Sequence, residues 1–262
     1  MFEITRYESE QRLLGTGVMA AVLVLYMAFM LAIAPDLIAQ LSEVYTSFPQ
    51  SVQKIFGMKA MGTLAGFLAV EFYQFGWVIV LGLYFAYSAG SAVAGDVETD
   101  HMDTLLSAPI SRSKVVVEKF LSLLMPILAV NVAVAIVVYV GTMVLTVDES
   151  LSLADIVAVH ALSIPYLLCC AAIGLGLSVF FARESTAQRA ALGVIFGLFM
   201  LESFITGTDY AWLGAIAPMR YYNPTAILVD SAYDLAGAAI LLGAMVVLVV
   251  ASQLWFRRKD IQ

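Results

Sequence analysis

LLGTGVMAAVLVLYMAFMLAIA, the stretch Leu13–Ala34, carries no charge from end to end. Crossing the ~30 Å hydrocarbon core of a bilayer takes about 20 apolar residues in a helix, and this stretch is long enough. Five further runs share its apolar character: Leu64–Ala94, Val115–Val147, Ile156–Ala182, Ala187–Ile205 and Ala236–Phe256. A helix satisfies its own backbone groups inside lipid, where water cannot. The expected fold is therefore an all-α membrane protein with six transmembrane helices, forming a single domain over residues 1–262. The second and third runs exceed the bilayer and should tilt or project beyond it. Pro126 and Pro165 fall inside the third and fourth runs and should bend them.

Composition agrees. The chain has 262 residues, of which 62% are hydrophobic and 13% charged, with a mean hydropathy of +0.93. A soluble domain would carry about twice that charge, so membrane lipid must be the solvent for most of this surface. The net charge of −7 argues against nucleic acid as a partner. Cys169 and Cys170 are adjacent within an apolar run and cannot build a disulfide framework. The charged, amphipathic residues 1–12 lead into a span-length run rather than a short apolar core with a cleavage site, so the first span is expected to be uncleaved.

Orientation follows from the cations. Arg6, Arg12, Arg112, Lys114, Lys119, Arg183, Arg189, Arg257, Arg258 and Lys259 fall in one set of segments; Lys54, Lys59 and Arg220 fall in the other. Positive charge is retained on the cytoplasmic side, which puts both termini inside at the cell membrane. Outside, Pro35–Thr63 reads as a moderate loop. Residues 206–235 contain Trp212, Tyr221 and Tyr222 among aliphatic neighbours, a composition suited to interfacial or re-entrant helices.

Between the second and third runs lies a polar segment, residues 95–112. Asp96, Glu98, Asp100 and Asp103 suit the start of a helix through its dipole. Met102, Leu105 and Leu106 give it a small apolar face. Pro109 should stop it, and Ser111 or Ser113 can cap the next helix. A short amphipathic helix at the cytoplasmic face is expected, with Leu105 and Leu106 as its apolar plug. Its acids would be repelled by anionic lipid headgroups, which favours docking to a cytoplasmic partner.

Gly95-Asp96-Val97-Glu98, then Met102-Asp103-Thr104-Leu105-Leu106-Ser107-Ala108-Pro109-Ile110-Ser111-Arg112-Ser113, then Glu118-Lys119-Phe120 resembles the first cytoplasmic loop of type-2 ATP-binding-cassette permeases. Asp103-Thr104 stands where Gly-Thr is frequent in that family. The span layout is similar over the whole chain, and Ala217–Pro224 adds a less specific likeness. The nearest branch by resemblance is the compact six-span permeases of the nitrous-oxide-reductase-accessory and sodium-efflux type. The resemblance implies an exporter permease acting with a second copy or a close homologue. It implies a separate ATP-binding subunit that carries ATP and Mg, and it makes Asp96, Glu98, Asp103, Thr104, Leu105, Leu106, Pro109, Ser111 and Arg112 the coupling residues. No Gly-x-x-x-x-Gly-Lys-Ser/Thr loop occurs in the sequence, so this chain does not bind ATP in that way and needs no cofactor of its own.

Other chemistry is sparse. His101 and His160 are expected on opposite sides of the membrane, which excludes a shared metal site, and no catalytic set can be assembled. Acids in or beside spans are costly and often functional. Glu71 is expected at the outer rim, and Glu202 deep in the outer half of the fifth run, each in a translocation path or a structural contact. Glu118 and Lys119 can snorkel at the start of the third run. Two other readings stay open: a secondary transporter coupling ions through Glu71 and Glu202, and a membrane assembly protein without transport. The first usually shows internal repeats, which are missing here, and the second leaves the deep acids without a purpose.

Overall fold

The computed structural model describes residues 3–46, 62–107, 110–144 and 151–259. Among these residues it is all-helical, with six helical segments long and apolar enough to cross a membrane. The first is α1 (Glu3–Thr46). The second joins α2 (Leu64–Leu68), a π-helix (Ala69–Leu81) and α3 (Gly82–Ser91). Then come the short α4 (Ala94–Glu98) and α5 (His101–Ser107). The third span is α6 (Arg112–Leu121) with α7 (Leu124–Val144). The fourth and fifth are α8 (Leu153–Phe180) and α9 (Glu184–Ile205). Two 3-10 helices (Ala211–Ile216 and Pro218–Tyr221) and α10 (Pro224–Asp230) precede the sixth span, α11 (Leu235–Arg258).

Several boundaries depart from expectation. α1 runs through Pro35 to Thr46, so the first part of the expected Pro35–Thr63 loop is helical; residues 47–61 lie outside the described residues. The third span is interrupted at Ser122–Leu123. Pro126 has no N–H to offer the Ser122 carbonyl four residues earlier, and that carbonyl accepts instead from the Ser9 hydroxyl at 3.4 Å. The second span widens into thirteen residues of π-helix. Such segments are rare and hard to foresee from periodicity.

α8 occupies the centre, packed against α3, α7, α9 and α11, while α1 lies along α7. The approach of α8 to α3 requires a glycine: a Cβ on Gly174 would run into the backbone carbonyl of Ala86. Tyr166 from α8 donates to the Val78 carbonyl at 2.7 Å and stacks on Tyr222, whose hydroxyl donates to the Val159 carbonyl at 2.9 Å. The segment between the fifth and sixth spans is thereby inserted between α8 and the second span, as short helices rather than a loop.

Side-chain caps start several helices. Ser111 accepts from Lys114 N, Ser152 from Asp155 N, Asn223 from Ala226 N and Asp234 from Gly237 N, at 2.7–3.3 Å. Ile4 and Lys259 lie at one end of the bundle, together with residues 94–107, residues 110–112 and the α8–α9 turn, because direct contacts join them. This is called the terminal end below, and the end holding residues 206–234 the far end.

Gly174→Ala should destabilise the purified protein by about 1–3 kcal/mol through overpacking. Gly243→Ala, where nothing lies within 4 Å of the added carbon, should be neutral or slightly stabilising. Thermal unfolding in detergent compares the two, and equal midpoints would refute the close α8–α3 approach.

Candidate functional site

The segment after the second span is two helices, not one. Ser178 on α8 accepts from Val93 N and Ala94 N, both at 2.9 Å, and so starts α4. Thr99 ends it: its hydroxyl donates to the Gly95 carbonyl at 2.8 Å and lies 2.9 Å from His101 Nδ1. Asp100 then takes a left-handed conformation with φ 59°, which short polar side chains tolerate. Thr and Asp offer the backbone local partners that compete with helix, and so the run of acids is divided between two elements.

The residues expected to couple divide into two groups. Asp96, Glu98, Ser111 and Arg112 make contacts within the chain. Asp96 pairs with Lys119 at 2.6 Å. Glu98 accepts from Glu184 N at 2.7 Å and so caps α9. Arg112 donates to the Lys259 carbonyl at 2.5 Å and to that of Phe256 at 3.5 Å, with its guanidinium over the Phe256 ring. Met102 is fully buried, and Leu105 and Leu106 are half-buried against the chain's own core. The exposed side of α5 presents His101, Asp103, Thr104 and Ser107. Pro109 lies outside the described residues. Between α5 and the start of α1 opens a cavity of about 460 Å³, lined among others by Tyr7, Glu8, Asp96, His101, Thr104 and Leu105.

Glu118 and Lys119 do not snorkel; both are buried. Lys119 Nζ lies 2.5 Å from Glu8 and 2.6 Å from Asp96, with its side chain 1% exposed. Glu118 accepts from Ile4 N at 3.0 Å and Thr5 N at 3.3 Å, while its carbonyl accepts from the Thr5 hydroxyl at 3.1 Å. A carboxylate at the first turn satisfies orphan amides and complements the helix dipole. The spacing of Lys114 and Glu118 was the one available hint, since i,i+4 partners share a face; they lie 3.6 Å apart. The partners in α1 are more than a hundred residues away and leave no local signal.

At the far end, Glu202 lies 3.9 Å from Arg220, and Arg220 also donates to the Ala211 carbonyl. The Thr206 hydroxyl is within 3.2 Å of Glu202 Oε1, while Oε2 is buried without a hydrogen bond. Gly214 faces that carboxylate, and a Cβ there would collide with it. The Glu71 side chain is exposed on the π-helix, and no contact among the described residues joins it to Glu202. His160 packs edge-on against Tyr73 and Trp77, with Nδ1 2.8 Å from the Ile156 carbonyl. Among the described residues no three His, Cys, Asp or Glu side chains converge as a metal set.

Glu8→Gln with Asp96→Asn leaves Lys119 buried without a counter-charge, a loss of ~3–5 kcal/mol for a broken buried pair. Adding Lys119→Met should recover most of that stability, because a well-packed apolar replacement is often neutral. Unfolding midpoints of the double and triple variants measure this. A double variant as stable as the parent would refute the ion cluster.

A search of curated proteins finds no match to the chain. The profile of the ABC-2 family transporter proteins matches residues 9–261, nearly the whole sequence. Such permeases are non-catalytic membrane subunits that pair with an ATP-binding subunit carrying the ATPase, which sets aside the secondary-transporter and assembly readings. With its six long apolar helices, this chain belongs to the ABC-2 family and is the membrane permease subunit of an ABC transporter.

Proposed function

We propose that this permease works as an exporter in which residues 95–112 form the cytoplasmic coupling segment and α5 is the part that engages the ATP-binding subunit. The observation that carries this reading is the division of labour in the segment. Its apolar side and its flanking charges are fastened to the chain, while His101, Asp103 and Thr104 stand exposed beside the cavity under α1. The fastenings reach four spans: Asp96 to Lys119 in the third, Lys119 on to Glu8 in the first, Glu98 to Glu184 in the fifth, and Arg112 to Phe256 and Lys259 at the end of the sixth. Closure of the ATP-binding subunits would push on α5 and displace these spans together. The ATP and Mg belong to the partner.

A second copy of the chain, or a close homologue, completes the path. Apolar 18-residue stretches of the fifth and first spans are only 11% and 22% buried, against 61% for the second and fourth. Leu14, Val18, Val22, Leu25 and Phe29 form an exposed stripe at helical spacing on α1. Glu71, exposed near the far end of the second span, is assigned to the translocation path, since a carboxylate facing lipid is costly. Glu202 is assigned to a latch with Arg220 that holds the short helices before the last span. The motifs of residues 95–120 support a place near the nitrous-oxide-reductase-accessory and sodium-efflux branch. The terminal end is assigned to the cytoplasm, because ten of the thirteen cations belong to its segments.

Two experiments test this. Asp103→Arg with Thr104→Arg should leave the protein inserted but reduce copurification of its ATPase at least tenfold, equivalent to ~1.4 kcal/mol. Undiminished copurification would remove α5 from the contact. For orientation, single cysteines at Ser107 and Thr208 in a Cys169→Ala, Cys170→Ala background report opposite ends. In intact cells an impermeant maleimide should label position 208 alone. Labelling of 107 alone would invert the orientation, and labelling of both would overturn the arrangement of spans.

A further inference from the structure

The third, fourth and sixth spans leave an apolar groove of about 390 Å³ on the bilayer side of the bundle, lined among others by Val117, Leu121, Leu124, Leu168, Val250 and Gln253. Along α11 it extends from Met245 to Gln253, or ~12 Å at 1.5 Å per residue. That is close to the ~15 Å hydrocarbon depth of one leaflet. An extended hydrocarbon chain matches that length and the almost wholly apolar lining.

Two cations continue the groove's helix faces toward the terminal end. Arg257 follows Gln253 by four residues and Lys114 precedes Val117 by three, spacings that put each on the groove's face of its helix. Arg112, bonded to the Phe256 carbonyl at 3.5 Å, holds the ends of α6 and α11 side by side. Arg257 is exposed, and no ion pair engages it among the described residues. Lys114 is 44% exposed and only loosely shared with Glu118 at 3.6 Å.

We propose that this groove is a binding site for one anionic phospholipid, with an acyl chain along α11 and the phosphate between Lys114 and Arg257. The site is independent of the coupling segment and does not rest on the export reading. Each cation near a membrane surface strengthens binding of anionic lipid roughly fivefold, so the pair should favour an anionic headgroup by ten-fold or more.

Native mass spectrometry of the full chain, released from micelles containing phosphatidylglycerol or phosphatidylcholine with identical acyl chains, tests it. The parent should retain phosphatidylglycerol at least ten-fold better. Lys114→Gln with Arg257→Gln should reduce phosphatidylglycerol to the phosphatidylcholine level. Arg257→Gln alone should lose about fivefold, at a position whose side chain makes no ion pair among the described residues. Val250→Trp, which fills the groove from an exposed position, should lower retention of both lipids, and inorganic phosphate should displace neither. Equal retention of the two lipids by the parent would overturn the headgroup assignment. Undiminished phosphatidylglycerol on Val250→Trp would overturn the groove. So would a loss of dimers in that variant with bound lipid unchanged, which would give the groove to a second copy.

Discussion

Two adjacent charges of opposite sign, Glu118 and Lys119, are buried where the third span begins. Taking an ion out of water costs several kcal/mol unless close partners replace the lost hydration, so their positions dictate what must surround them. Lys119 draws Glu8 and Asp96 to within 2.6 Å, and Glu118 takes the first amides of α1. The start of the first span, the segment after the second and the base of the third therefore converge on one point. Everything else at the terminal end is arranged around that junction: α4 cannot shift without dragging α1 or uncovering a buried cation.

Packing elsewhere is mostly geometric. α8 serves as the central post, and Gly174 lets α3 approach it closely enough for backbone to meet backbone. In lipid, close approach of this kind replaces the hydrophobic drive that assembles soluble bundles. At the far end Tyr166 and Tyr222 stack while each hydroxyl finds a backbone carbonyl, so a polar phenol is buried without an unmet bond. Asp155 plays a similar part at the top of α8, accepting from Tyr233 at 2.6 Å and from Ser231 at 3.2 Å. The bond to this carboxylate raises the Tyr233 phenol above its ordinary pKa. On the alkaline side the contact's contribution fades as pH climbs through that raised value.

The spans were legible because bilayer thickness imposes a length that shows directly in sequence, and the aromatic residues of 206–235 announced ordered short helices for the same reason. Their edges were less so. Pro35 looked like a terminator but sits within α1. The widening between Ala69 and Leu81 leaves no mark in composition. In the candidate site the residue types could be read, but their partners could not. Glu98 looks like one more acid of a helix start until Glu184, 86 residues later, is brought beneath it. The apolar residues of α5 marked a face correctly, while the direction of that face depended on a core the sequence does not display.

The cap that Glu118 places on α1 also bears on biosynthesis. The amide of Ile4 and its acceptor are 114 residues apart in the chain. At about 5–20 residues per second of translation, the first helix waits roughly 6–23 s before its partner has been made at all. During that interval the Ile4 amide lacks the acceptor that it has in the folded protein. Synthesis of the third span supplies that acceptor, so α1 can be fastened at its start only once the base of the third span exists.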